Sequence, residues 1–481
     1  MKMPDGTQRD VASWLSTRLF SFRELLKFAL AFVVIEAIAV AVVKLTCAFV
    51  VTFNCPISWP MNVFVLATLT PLRFVTALGV AVLFAATVWY LSRTGYRFSH
   101  VVVAAIVLVL ASNLIQGWQM GLYTPISGRA VDNLIISRQT IPIADHGQQY
   151  YHQALRVSDP ADFLRSFNQL QKTWAEPDRA FESWHVYTHP PGAVLIFYWL
   201  AKLLGHPGWI AIFIAVVSVV SSAYFLRKLL LREVDESTTR YVTFLWVLLP
   251  AVQIYSLATL DALVASLLTA TLYFFTHPDG RRVWGALVCL TVSFLLTFGT
   301  VMLLPLLAGY EWIRRRSVKR TALLGAGVAG IHLVIYALYG YDPVAALREG
   351  SAQENREGFM LFAEPANYFF TRLMDVGEIL FFFGPFLIVL LVRGFRAGNP
   401  RTSDLFLLPL LAAGSFVAFI LTGALKSGET ARVVAFIYPY LLFPVAAYLQ
   451  SFKPTLAEKT QLASLVFAQT VAMQLLGHYF W

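Results

Sequence analysis

Charge is what this sequence lacks. Only 13% of its 481 residues are Asp, Glu, Lys or Arg, about half the share of a soluble globular protein. With 58% hydrophobic residues there is more apolar material than a soluble core needs, and lipid must be the solvent for most of it. Cysteine is nearly absent, and Cys47, Cys55 and Cys289 form no metal-binding pattern. Cys47 and Cys55 flank an outer turn, where their spacing does not decide whether they pair. No cleavable leader, low-complexity tract or internal repeat is visible, and the missing repeat counts against a pore or transporter built on duplicated halves. Acidic residues are the scarcer sign, 27 against 37 basic ones, for a net charge of +10. The basic residues are scattered among short loops and form no separate domain. They read as cytoplasmic Lys and Arg beside anionic headgroups, not as a nucleic-acid surface.

What the chain does have is apolar segments of membrane length. In lipid each must satisfy its own backbone, so runs of this density are helices. They fall near 25–48, 72–92, 99–118, 208–227, 240–257, 259–276, 282–297, 299–313, 320–340, 375–393, 404–423, 432–450 and 459–478, predicting an all-α polytopic membrane protein of about thirteen spans. Arg23 and Lys27, Arg93 and Arg97, Arg227 to Arg232, Arg281 and Arg282, Arg314 to Arg320, Arg393 to Arg401, and Lys453 with Lys459 then share one side. That side is the cytoplasm by the positive-inside rule. The run 191–205 is too short to span comfortably and reads as a helix in the outer interface. Three regions result: 1–118 with three spans, 119–207 as a large outer loop with juxtamembrane helices, and 208–481 as a bundle with a second outer loop at 341–374. In the first loop Ser158-Asp159-Pro160 opens a helix. Phe163, Leu164, Phe167, Leu170 and Trp174 recur on its apolar face, against Arg165, Asn168 and Gln171, as in a helix lying on the membrane surface.

The polar residues with chemical potential fall on that outer side. Asp145 lies in the large loop. With Gln148 it also fits a helix cap and capping box. His189 precedes Pro190-Pro191-Gly192 at the start of the interfacial helix, where a helix N-terminus favours anions. It is equally a plain loop-to-helix junction. Asp261 opens a span, where an acid needs a cavity, a partner or a capping role. Lys426, Glu429 and Arg432 precede the twelfth span. They read as a salt-bridged loop or, because basic residues here break the positive-inside pattern, as a clamp for an anion. The charges otherwise stay at span ends, which counts against a transport pathway at mid-membrane.

At these residues the chain resembles the GT-C superfamily of membrane glycosyltransferases, nearest the branch of protein O-mannosyltransferases and the aminoarabinose transferase of lipid A. The resemblance runs loosely from about 119 to 450. It rests on Asp145 followed by Tyr150 or Tyr151, on His189-Pro190-Pro191, on Asp261-Ala262-Leu263, and on Arg432 leading to Pro439 and Pro444. It implies transfer of a sugar from a polyprenyl-phosphate carrier to a lipid, glycan or protein acceptor on the outer face, with inversion. Asp145 would be the general base, and Asp261, also catalytic, would orient the sugar or the base. Arg432, Lys426 and His189 would bind the donor phosphate, and His146, Tyr150, Tyr151 and Glu429 would contact substrate. Three departures stand out. The large loop follows the third span and not the first, the family's Asp-Glu pair reads Asp145-His146, and Phe298 stands where a lysine is common. The second departure counts against a carboxylate-bound divalent metal, and no cofactor is otherwise implied. The rival reading is a transporter or flippase of lipid-linked or other polar substrates.

Overall fold

The computed structural model describes residues 19–21, 23–27, 70–117, 134–136, 139–141, 149–174, 184–355, 358–425 and 430–477, with a few isolated positions between them. Most of the first predicted span, together with Cys47, Cys55, Asp145, His146, Lys426 and Glu429, lies outside the described residues. The described chain is helical apart from one hairpin, Leu134–Ile136 paired antiparallel with Gln139–Ile141. Five helices are long and apolar enough to cross a bilayer: Pro71–Arg93, Phe98–Gln116, Pro207–Leu230, Lys319–Tyr339 and Asp404–Leu421. Each coincides with a span expected from the sequence. Local chemistry sets their starts. Thr70 accepts a bond from the Arg73 amide ahead of Pro71, and the Gly208 amide donates to His206 Nδ1 ahead of Pro207. Proline at the first helical position forfeits only an amide that would have had no helical partner.

Other expected spans are shorter or broken. Residues 240–257 divide at Leu249-Pro250 into Glu236–Leu248 and Pro250–Tyr255. Residues 375–393 are not one straight helix: Tyr368–Phe383 and Pro385–Ala397 meet at 98°. The break is chemical. Gly384 takes φ +94°, which a side chain would oppose. Pro385 has no N–H for the carbonyl of Phe381 four residues back. Gln469 supplies the missing donor, its Nε2 lying 2.6 Å from that carbonyl oxygen.

Polar contacts join the loops and helix ends in two sets. On one face Arg393 reaches Glu24, Arg227 reaches Glu236, and Arg314 reaches Asp404. The Asp404 amide donates to Glu233, Arg232 donates to Thr276, and the Tyr241 hydroxyl donates to the Lys459 carbonyl. On the other face Arg73 holds the carbonyls of Ile115, Gln474 and Gly477. The long loops join there too. Asn168 exchanges two bonds with the backbone of Asp342, at 2.9 and 2.8 Å.

The helix Pro160–Trp174 begins as expected, with Asp159 accepting from the amides of Ala161 and Asp162. Its surroundings differ from the expectation of a bare surface helix. Gln171, placed on the polar face by its spacing, is fully buried and donates to the carbonyls of Tyr187 and Ala346. The segment that follows Tyr339 covers the side that would otherwise face water.

Candidate functional site

Among the described residues one ion pair joins two of the site candidates singled out in the sequence. Arg432 Nε lies 3.0 Å from Asp261 Oδ2, and the two side chains keep 19% and 23% of their surface. The pair is sheltered yet reachable. Asp261 sits in the first turn of the helix Leu260–Thr276, where a carboxylate is favoured by the helix dipole. It is not the cap, because Thr259 takes that role by accepting from the Ala262 amide. The capping explanation for Asp261 is therefore removed, and its carboxylate is committed to Arg432.

Arg432 stands on a single helical turn, Thr430–Val433, too short to hold itself in place. Three residues the sequence reading passed over hold it. Arg372, Asp375 and Glu378 recur every third residue along the helix Pro365–Phe383, and all three are buried. The Thr430 hydroxyl donates to Asp375 Oδ1 at 2.6 Å, and the Ala431 amide donates to Glu378 Oε1 at 2.8 Å. Arg372 lies 3.1 Å from Asp375 and donates to the carbonyls of Ile420 and Leu425. A buried acid and base satisfied in this way fix the backbone on either side of residues 426–429, and with it the position of Arg432. The expectation that charges stay at span ends is corrected here. The signal was visible as three charges on one face of an apolar run, a pattern that marks a functional or organising role in a membrane helix.

His189 lies on a second element. Thr188 Oγ1 is 3.1 Å from its Nδ1, and Tyr150 meets it edge-on with ring centroids 5.7 Å apart. Of the two tyrosines expected to contact substrate, Tyr150 is the one set beside His189. Tyr151 is buried and its ring meets Phe197 edge-on. The helix Gly192–Leu204 is positioned by its first residue. A Cβ on Gly192 would fall 2.3 Å from the carbonyl oxygen of Leu295, so only glycine permits this approach. Nearby, burial and the charge of Asp342 push the Tyr341 phenol up from its ordinary value.

Beside the ion pair runs a narrow crevice lined by Ser218, Ser222, Trp246, Ser256, Thr269 and Tyr438, among others, with Ala262 and Ala435 at its walls. A larger open groove of about 520 Å³ lies over the helix Pro343–Glu354, lined by Val344, Leu347 and Arg348. It involves none of the residues above. Among the described residues no three His, Cys, Asp or Glu side chains gather as metal ligands. No family model matches the chain, and no curated protein matches it in sequence.

Proposed function

We propose that this protein is a GT-C-type membrane glycosyltransferase, with about thirteen spans and its active site on the non-cytoplasmic face. The donor is a sugar on a polyprenyl phosphate. The acceptor is a hydroxyl of a lipid, glycan or protein. The observation that carries the reading is the Asp261–Arg432 pair, held by buried Arg372, Asp375 and Glu378. It supports the reading because it holds a guanidinium whose planar fork suits a phosphate. Tyr150 and His189 on the neighbouring outer helices, and Lys426 and Glu429 in the loop before Arg432, complete the polar face in this proposal.

In this mechanism Asp145 takes the acceptor proton as the hydroxyl oxygen bonds to the anomeric carbon. The bond from that carbon to the phosphate oxygen breaks, and the electron pair leaves with the carrier phosphate. Arg432 stabilises the charge that develops there. Attack opposite the leaving phosphate inverts the anomeric centre. The test is transfer from a synthetic polyprenyl-phosphate hexose in reconstituted vesicles. Asp145→Asn should fold, bind donor and transfer at least about a hundredfold more slowly. Asparagine caps a helix about as well as aspartate, so transfer at the wild-type rate would return Asp145 to a capping role. Wild-type donor affinity in Arg432→Ala would remove the phosphate clamp.

A transporter is the second reading. The 98° break at Gly384 and the buried charges before it are features such proteins use. Against it, those charges bond the carbonyls of Ile420 and Leu425 and the Thr430 hydroxyl, beyond or at the end of the span Asp404–Leu421. Movement of a lipid-linked sugar across vesicles without transfer would favour this reading.

A further inference from the structure

The crevice beside the ion pair has a chemical demand that the bundle does not meet. Ser218, Trp246 and Tyr438 line it, and they are 2%, 5% and 0% exposed. Among the described residues, Ser218 Oγ, Trp246 Nε1 and the Tyr438 hydroxyl have no hydrogen-bond partner. Buried polar atoms are nearly always paired with protein groups or ordered water, so three orphans around one space mark a place for a small polar guest. An indole N–H only donates, whereas the two hydroxyls both donate and accept. The complementary group must therefore accept from Trp246 and exchange bonds with the hydroxyls. A cation fails the first requirement. An acyl chain fails both. No cationic side chain lines the crevice to match an anion. A neutral hydroxyl meets every term, whether it belongs to a single water or to a ligand that displaces that water.

Position narrows the source. Ala262 follows Asp261 directly, and Ala435 lies three residues past Arg432, so the crevice adjoins the pair through two small side chains. Its volume, about 20 Å³, admits a water-sized group and not a whole ring. We propose that this crevice is a carbohydrate subsite that receives one hydroxyl-bearing arm of a sugar whose phosphate is held at Arg432. The proposal rests on the donor class given above and adds where the sugar is recognised.

The experiment uses the full chain in phosphatidylethanolamine–phosphatidylglycerol nanodiscs. Dissociation constants are measured for a short polyprenyl phosphate, for the same lipid bearing mannose, and for the same lipid bearing 6-deoxymannose or lyxose. Mannose should improve affinity over the bare phosphate by about fivefold or more, the scale of one net hydrogen bond, and the two probes lacking the arm should lose that gain. Trp246→Phe and Ser218→Ala should each abolish the mannose increment and leave the bare phosphate unaffected, which also shows that they fold. An increment that persists in both variants, or no increment in the wild type, overturns the subsite. Bare-phosphate affinity unchanged in Arg432→Ala overturns the clamp instead, and failure of every probe to bind overturns both.

Discussion

Replacing Thr430 by valine keeps the shape of the side chain and deletes the hydroxyl that donates to Asp375 at 2.6 Å. Asp375 is 1% exposed, so water does not replace the lost donor. Leaving a buried acceptor short of its donor costs about 1–3 kcal/mol. Arg372 still faces the other oxygen of Asp375 at 3.1 Å, which places the cost toward the middle of that range, about 2 kcal/mol or roughly thirtyfold in the folded-to-unfolded ratio. The damage should also reach function, because Thr430 begins the turn that bears Arg432. SDS-driven unfolding in mixed micelles reads the stability, and binding of polyprenyl phosphate reads the position of Arg432. Thr430→Ser, which restores the hydroxyl, should recover most of both. Thr430→Val and Thr430→Ser indistinguishable in either assay would refute the idea that buried acids organise this segment.

Three further outcomes are expected. Gly192→Ala places a methyl 2.3 Å from the Leu295 carbonyl oxygen. It should destabilise by about 1–3 kcal/mol through overpacking, and a neutral result in the same unfolding assay would show that the two helices can part freely. Partial burial pushes the Asp235 carboxyl up, but the amides of Thr238 and Ser237 outweigh it and hold the group below its ordinary value. Its contribution is therefore complete above the unfolded value of about 3.9 and is lost as pH falls through the lower folded one. Unfolding followed from about pH 5 to 3 should be less acid-sensitive in Asp235→Asn, and identical profiles would discount the cap. In a cysteine-free background, an impermeant maleimide should label Ser351→Cys in intact cells and Lys319→Cys only after permeabilisation. The reverse pattern would invert the topology.

Residues with local consequences were legible in the sequence. Pro71, Pro160 and Pro207 open helices where their fixed φ favours it. The basic residues sort the loops, because that asymmetry is set by insertion and needs no knowledge of packing. Asp261 and Arg432 were each visible, but not as partners, since 171 positions of chain separate 261 from 432. The break at Gly384 was masked by an apolar run that continues through it, although Gly-Pro is itself a turn signal. Gln171 was misplaced for a different reason. Periodicity identifies an apolar face, but it cannot foresee that a polar side chain on the other face will be buried by a loop some 170 residues later.

Arg73 carries an implication for how the protein comes to exist. Arg73 is 8% exposed, and two of its three carbonyl partners, Gln474 and Gly477, belong to the end of the helix Leu456–Leu476 and the residue after it. During synthesis the span that bears Arg73 enters the membrane some four hundred residues before those partners exist. An arginine left without them at the rim of a bilayer must lean toward the headgroups, so the span starts out tilted or shallow. The last helix is then more than a final addition to a finished bundle. Its arrival lets the first described span settle, and a ribosome stalled short of residue 456 would release a chain whose opening span is still waiting for its anchor.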